Sequence, residues 1–325
     1  MSQKTNIMVL SAGRRVELLQ AFQDALSAHD PEACVFAADL YPELSAACQV
    51  ARRFFKAPRV TSPEYIGFLI ETCHEERIGM LVPTIDTELL VLSEVRARFE
   101  SEGIHVLVPD SALVAACRDK RMTAKVYDAL GIDQPEVYSR TSPKIPCFCK
   151  PYDGSSGIGA MPILSERDLT EEVIANEKNM FMELIGKEYR EYTVDCYYDR
   201  HGGLKCLVPR ERIEVRGGEV SKGITRKHFV YDYLIERLKR LDGARGCVTV
   251  QVFGNPETQR VKALEINPRF GGGYPLAQAS GANFPDWLIR EYFLGETVDF
   301  FDKWEENLLM LRYDARVIVH QNEAL

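Results

Sequence analysis

The segment ALEINPRFGGG, residues 263 to 273, sets a carboxylate (Glu265), a carboxamide (Asn267) and a guanidinium (Arg269) at alternate positions and closes on three glycines. Side chains alternate across a β-strand, so Glu265 and Asn267 would share one face. A second strand pattern, CVTVQVF (247–253), precedes it across the polar turn GNPETQ. Folded as a hairpin turning near Glu257 and Thr258, the two strands set Gln251 opposite Glu265. Val248, Val250, Val252, Leu264 and Ile266 then fall on one face, and Gln251, Glu265 and Asn267 on the other. Carboxylate and carboxamide oxygens suit a hard cation such as Mg²⁺, which completes its octahedron with water and substrate phosphates. Arg269 could hold the same phosphate or an oxyanion formed from it. A solvated strand face, with Pro268 and the glycines as a plain connection, accounts for the same residues.

A metal–phosphate site needs a further phosphate reader, and CKPYDGSSGIGA (149–160) has the ingredients. Lys150 ends an apolar strand, with its charged end expected in an open cleft. Asp153 to Gly159 is a Gly/Ser loop whose N–H groups could approach phosphate oxygens closely. The GxxxxGK spacing of a P-loop is missing. Lys120, in RDKRMTAK, lies on a helical pattern and by itself reads as a solvated charge. Glu183, in FMELIGKEYREYTVD, closes an apolar strand. Such a strand end could offer backbone groups to an adenine and a carboxylate to a ribose, or be an edge strand with exposed charges.

The elements that must position these residues fall into two patterns. From Asn6 to Val108, strands (6–10, 34–38, 78–82, 104–108) alternate with helices (Val16–Leu26, after Pro63, from Leu89), which predicts a parallel, Rossmann-like sheet. Ligands gather at the carboxyl ends of such strands, here Gly13 to Arg15, Asp39, and Thr84 to Glu88. SAGRR lacks GxGxxG, which argues against a dinucleotide site and an NAD-dependent dehydrogenase. From Ser111 a helix is expected up to Gly131, then short strands at 147–150, 181–184, 192–198, 204–208 and 212–215, with tight turns at RHGGL and RGGEV, and a helix from Tyr231 to Leu241.

The 325 residues are 46% hydrophobic and 27% charged, with a formal net charge of -8. This balance fits two or three globular domains and small-molecule partners, and disfavours a general nucleic-acid or acidic-membrane surface. No run approaches the roughly 18 apolar residues of a spanning helix, and Met1 to Leu10 shows no signal-peptide cleavage pattern; a cytoplasmic protein is expected. The nine scattered cysteines show no CxxC pair and read as free thiols, with Cys147 and Cys149 as small buried hydrophobes.

Taken in order, Lys120, CKPYDGSSGIG, ELIGKEYREYTVD, Gln251 and EINPR resemble the ATP-grasp superfamily, specifically a short form similar to the large chain of carbamoyl-phosphate synthase. The resemblance covers about residues 111 to 313, and implies an α/β and α+β architecture: a Rossmann-like pre-ATP-grasp domain (1–110) before an ATP-grasp fold of two subdomains (111–190 and 191–325). It implies that Lys120 and Lys150 contact ATP phosphates under a loop formed by Asp153, Gly154, Ser155, Ser156 and Gly157. Glu183, Leu184 and Ile185 would line the adenine hinge. Gln251, Glu265 and Asn267 would hold one or two Mg²⁺ (or Mn²⁺) ions, and Arg269 would stabilise the transferred phosphoryl group. The interval between Glu183 and Glu191 is about two residues longer than the family pattern, so the ribose contact falls to Glu188 or Glu191.

The chemistry so implied is an ATP- and Mg²⁺-dependent ligase that joins a carboxylate to an amine or related nucleophile through an acyl phosphate. The sequence offers no GxSxG motif and no Cys/His pair for covalent catalysis. Arg210, Arg212 and Lys222, on the hairpin PRERIEVRGGEVSKGITRK, are candidates for a substrate carboxylate, and Asp86 and Glu88 for an ammonium or sugar hydroxyls. Two alternatives stand beside the ligase: a phosphotransferase acting on bicarbonate or carbamate, and a non-catalytic nucleotide-binding regulator. The chain has room for one such module, about a third of a full synthase large chain; a homodimer is left open.

Overall fold

A computed structural model describes residues 5–154 and 158–320; Ser155, Ser156 and Gly157 of the expected phosphate loop lie outside the described residues. Strands β1 (Asn6–Leu10), β2 (Val35–Asp39), β3 (Phe54–Lys56), β4 (Ile78–Pro83) and β5 (His105–Val106) form a parallel sheet in the order β3-β2-β1-β4-β5. Its connections carry helices α1 (Val16–His29), α2 (Ala46–Val50), α3 (Tyr65–Glu75), α4 (Asp86–Glu94) and α5 (Arg96–Ser101). Strand β1 is an unbroken apolar run because both faces are covered. Ile7 and Val9 belong to one core cluster, Met8 and Leu10 to another.

The single helix expected from Ser111 is two, α6 (Ser111–Arg118) and α7 (Lys120–Leu130). Asp119 between them has extended backbone, and its carboxylate accepts the Arg121 N–H at 2.9 Å, so a capping residue stops one helix and starts the next. Lys120 therefore opens α7, and Gly131 closes it in the left-handed region with φ 67°.

The second sheet, order β6-β9-β7-β8, comprises β6 (Val137–Tyr138), β7 (Cys147–Pro151), β8 (Met161–Ile163) and, after the short helix α8 (Glu171–Ala175), β9 (Asn179–Glu183). Cys147 and Cys149, both fully buried, pack with Ile163 and Phe181 as its small core. The third sheet, order β14-β13-β10-β11-β12-β15, is antiparallel: β10 (Arg190–Tyr198), β11 (Leu204–Arg216), β12 (Glu219–Thr225), β13 (Gly246–Gly254), β14 (Val261–Asn267) and β15 (Leu309–Leu311). Helices α9 (Phe229–Leu238), α10 (Tyr274–Ala279) and α11 (Phe284–Tyr292) complete the chain's helices among the described residues. The two short strands expected at 204–208 and 212–215 are one 13-residue strand, β11. Among the described residues no helix is long and apolar enough to cross a membrane.

The third sheet separates its faces sharply. Tyr192, Val194, Cys196, Val248, Val250, Val252 and Ile266 enter the main core. Gln251 pairs with Glu265, the register expected from the hairpin, but a shift beyond Gln251 sets Val252 opposite Ala263. Leu264 is thus the extra residue of a bulge: Ala263 takes its expected place in the core, and Leu264 is only half-buried.

Two buried polar clusters pin this framework. Arg210 of β11 and Asp195 of β10, 1% and 0% exposed, form a two-pronged ion pair with Nε–Oδ2 at 2.6 Å and Nη2–Oδ1 at 3.2 Å. In the first sheet Glu88 is 2% exposed, and its Oε1 accepts from Ser11 Oγ at 2.5 Å and Tyr65 OH at 2.8 Å. Burial pushes its carboxyl up to about 7, against the hydrogen bonds from Ser11 and Tyr65. Glu88 is therefore a core residue and not the substrate ligand expected from its strand-end position; the apolar turn of α4 that carries it faces inward.

Asp195→Asn should cost about 3–5 kcal/mol of unfolding free energy in urea denaturation, because it strands the Arg210 charge in the core; a loss below about 1 kcal/mol would show the pair to be energetically idle. The Glu88 carboxyl is raised on folding, so its contribution is fully present below pH 4.5 and is lost as pH rises through about 7. Glu88→Gln should accordingly gain on the wild type by about 3 kcal/mol between pH 4.5 and 8.5. A pH-independent difference between the two proteins would disprove the burial effect.

Candidate functional site

One cleft of about 700 Å³ lies where the three sheets meet. The second sheet contributes Lys150, Glu183, Leu184 and Ile185; the third contributes Glu191, Thr193, Arg212, Gln251, Glu265 and Asn267; the first contributes Arg14, Arg15 and Asp86. Lys120, Asp153, Gly154, Arg210 and Arg269 complete the set of expected residues that reach it.

Lys150 lines the cleft, as expected, but is more buried there than an open cleft implies: it is only 7% exposed, on a strand flanked by β9 and β8. Burial, then the charge of Lys120, lower its ammonium to about 8, while Glu265 pulls the other way. An anion entering the cleft would favour the charged form and raise this value again. The Lys120 ammonium donates to the Gly154 carbonyl, and its N–H donates to the Tyr152 carbonyl at 2.9 Å, which ties the start of α7 to the loop after β7. Asp153 is turned to Lys178 at 2.6 Å.

The Glu183 carboxylate is already engaged, by the Lys262 ammonium and by the Glu136 N–H at 3.2 Å. What remains for an adenine at this hinge is the backbone and the apolar side chains of Leu184 and Ile185. Of the two ribose candidates, Glu191 lines the cleft, whereas Glu188 is exposed and folds back over Gly186. Burial raises the Glu191 carboxyl, opposed by Arg212 at 2.6 Å.

Gln251, Glu265 and Asn267 share the cleft face, with Asn267 Nδ2 donating to Glu265 Oε1 at 3.0 Å. One carboxylate and two carboxamides fit a hard cation that takes its remaining ligands from phosphate and water. Among the described residues no three His, Cys, Asp or Glu side chains cluster into a self-sufficient metal site.

Arg269 grips Asp86 of α4 with two bonds, Nε–Oδ1 at 2.8 Å and Nη2–Oδ2 at 3.0 Å. Two residues predicted for separate partners thus hold each other. The glycine run has a packing cause: a Cβ on Gly273 would sit 2.3 Å from Nη1 of Arg210, which is locked by Asp195, and one on Gly272 would meet the Glu219 carboxylate. Thr249 Oγ1, 2.9 Å from the Arg269 carbonyl and 3.3 Å from Asp195 Oδ1, links the run to the same ion pair.

Two substrate candidates are corrected: Glu88 is buried in the first sheet, and Lys222 points away from the cleft and pairs with Glu214 at 2.7 Å, since alternation on β12 sends it to the exposed face. Arg210 lines the cleft with its Nε and Nη2 held by Asp195. Arg212 remains, bonded through Nη1 to Glu191 and through Nη2 to the Gly218 carbonyl at 3.0 Å, with its buried Nε unpartnered. Sequence reasoning missed Thr193, Asp195 and Thr249, hidden in apolar strand runs, and Glu219. Arg14 and Arg15 sat at a strand end marked for ligands and were given no role. Burial holds the Arg15 guanidinium below its usual value, countered by Glu219.

Two family models match the chain: "PylC-like, N-terminal domain" over residues 7–107, and "ATP-grasp in the biosynthetic pathway with Ter operon" over residues 176–313. No protein of curated function matches it by sequence. Among solved structures, it is similar to a biotin carboxylase complexed with β-γ-ATP from Campylobacter jejuni, at 14% identity and a TM-score of 0.73, covering 94% of this chain and 74% of that one. The biotin carboxylase domain of Hydrogenobacter thermophilus 2-oxoglutarate carboxylase, a dimer with MgADP and bicarbonate, gives 13% identity and a TM-score of 0.71 over 95% and 74%. N5-carboxyaminoimidazole synthetase from Staphylococcus aureus, complexed with ADP, gives 16% identity and a TM-score of 0.68 over 96% and 81%. The chain thus has the fold of these structures, and its residues 176–313 carry an ATP-grasp match.

Proposed function

We propose that this chain is an ATP-dependent ligase that activates a carboxylate as an acyl phosphate and passes it to an amine or related nucleophile. The observation that carries this reading is the meeting, in one cleft, of a buried lysine (Lys150) and the oxygen trio on β13 and β14. Parts 1–110, 111–190 and 191–325 serve as pre-domain and two ATP-grasp subdomains, with the nucleotide between the latter two. Leu184 and Ile185 flank the adenine, Glu191 takes the ribose, and Lys120 and Lys150 face the phosphates. Mg²⁺ held by Glu265, Asn267 and Gln251 would offset phosphate charge during transfer. Arg269, oriented by Asp86, neutralises charge on the transferred group. No side-chain nucleophile is needed, because the substrate carboxylate attacks the γ-phosphorus, ADP leaves, and the amine then displaces phosphate through a tetrahedral intermediate.

A second reading takes bicarbonate as the phosphoryl acceptor; its support is the biotin carboxylase domain solved with that anion. ADP release that requires bicarbonate and no organic acid would select it.

Lys150→Ala should weaken ATP binding about 100-fold, since it removes a desolvated cation from its phosphate partner. Wild-type affinity should also fall as pH rises above about 8, where binding must first take up a proton, and that slope should vanish in the variant. Calorimetric titration across pH 7 to 10 measures both, and equal affinities would remove Lys150 from the site. Glu265→Gln should cut Mg²⁺-dependent ADP release by about 100-fold or more; full turnover in that variant would rule out the oxygen trio as the metal site.

A further inference from the structure

The cleft has a second charged end, away from Lys120 and Lys150. Arg14 and Arg15, on the turn between β1 and α1, both line it. Among the described residues neither side chain makes a hydrogen bond or ion pair. The carboxylates around them are taken: Asp86 by Arg269, Glu191 by Arg212, and Glu219 is shared with Arg312 at 3.5 Å. Arg14 is exposed, whereas Arg15 is partly buried and feels Glu219 only through space; a guanidinium so placed is stabilised by an anion that bonds it directly, and its fork of N–H donors matches carboxylate or phosphate oxygens in shape.

One anionic group is already required there, the carboxylate to be activated, which must sit beside Arg269 and the oxygen trio. The unpaired charge of Arg14 and Arg15 lies beyond it, on the pre-domain side. We propose that the acid this cleft takes carries a second anionic group, and that Arg15, helped by Arg14, is the specificity determinant that reads it. The inference rests on the ligase reading above. It adds the substrate class, a di-anionic acid, whose second group is a carboxylate or a phosphate.

The test uses the full chain with Mg²⁺, ATP and hydroxylamine, which traps an acyl phosphate as a hydroxamate whatever the natural amine. Glutamate and succinate represent dicarboxylates, phosphoserine and 3-phosphoglycerate the phosphorylated acids, and alanine and acetate the single-anion controls. Hydroxamate should form with a di-anion and not with the controls, and the responding pair identifies the second group. Arg15→Gln should raise KM for that acid about 100-fold with kcat within a few-fold, and Arg15→Lys, which keeps charge but loses the fork, about 10-fold. Arg14→Gln, at an exposed position where folding is safe, should raise it several-fold. The melting shift given by a non-hydrolysable ATP analogue should be unchanged in all three.

Equal use of acetate or alanine would overturn the proposal, as would an Arg15→Gln defect confined to kcat, which would place that guanidinium on the phosphoryl group. A protein stabilised by the ATP analogue but by no di-anion added to it would also overturn it, leaving the nucleotide site standing. No stabilisation by the analogue at all would count against the ligase reading itself.

Discussion

Asp195 and Arg210 meet in the interior of the third sheet, and the rest of the cleft is arranged around that contact. A guanidinium and a carboxylate removed from water can stay ionised only while they satisfy each other, so their positions are fixed to within a hydrogen bond. The fixed guanidinium excludes a side chain at Gly273, which shapes the turn after β14. Its partner shares Thr249, whose hydroxyl approaches the Arg269 carbonyl. Arg269 in turn reaches α4 through Asp86. A single buried pair thereby sets where the first sheet docks relative to the strand that bears Glu265 and Asn267.

The same low-dielectric setting shapes the electrostatics of the site. Lys150 is held between sheets at a pKa of about 8, and Arg15 is burdened by burial in the same way. Burial of such cations opposes the folded state slightly, and an anion that pairs with them offsets that cost. Ligand binding and local stability are thus coupled at these residues. The surface pairs, such as Lys222 with Glu214, are solvated on both sides and carry little of this coupling.

Much of the site was legible because strand periodicity is strict. CVTVQVF and VKALEIN fix which residues oppose one another once the turn is located, and Gln251 does face Glu265. Periodicity cannot reveal a bulge, which moved Leu264 out of the core, nor a capping aspartate inside a helical run, which split α6 from α7 at Asp119. Burial of charge was the larger blind spot. Arg210, Arg212 and Lys222 look alike in a basic hairpin, yet one is locked in a buried ion pair at the cleft wall, one lines the cleft beside Glu191 and one faces solvent. The difference comes from partners distant in sequence, Asp195 and Glu191 on β10. Short elements such as β3, β6, β8 and β15 are placed by neighbouring strands and carry too few residues to announce themselves.

The tip of the β11–β12 hairpin is a two-residue turn of Gly217 and Gly218, with φ 58° and 80°, and both residues line the cleft. A wall built from two glycines presents peptide groups and no side chains, and its Gly218 carbonyl is already bonded to Arg212. Selectivity on that side is therefore vested in the rim residues and in the brevity of the loop. Lengthening the tip by a few residues would add reach over the opening without touching any core strand. This makes it the natural place for relatives to diverge in the size of molecule they admit, and for an engineer to retune it.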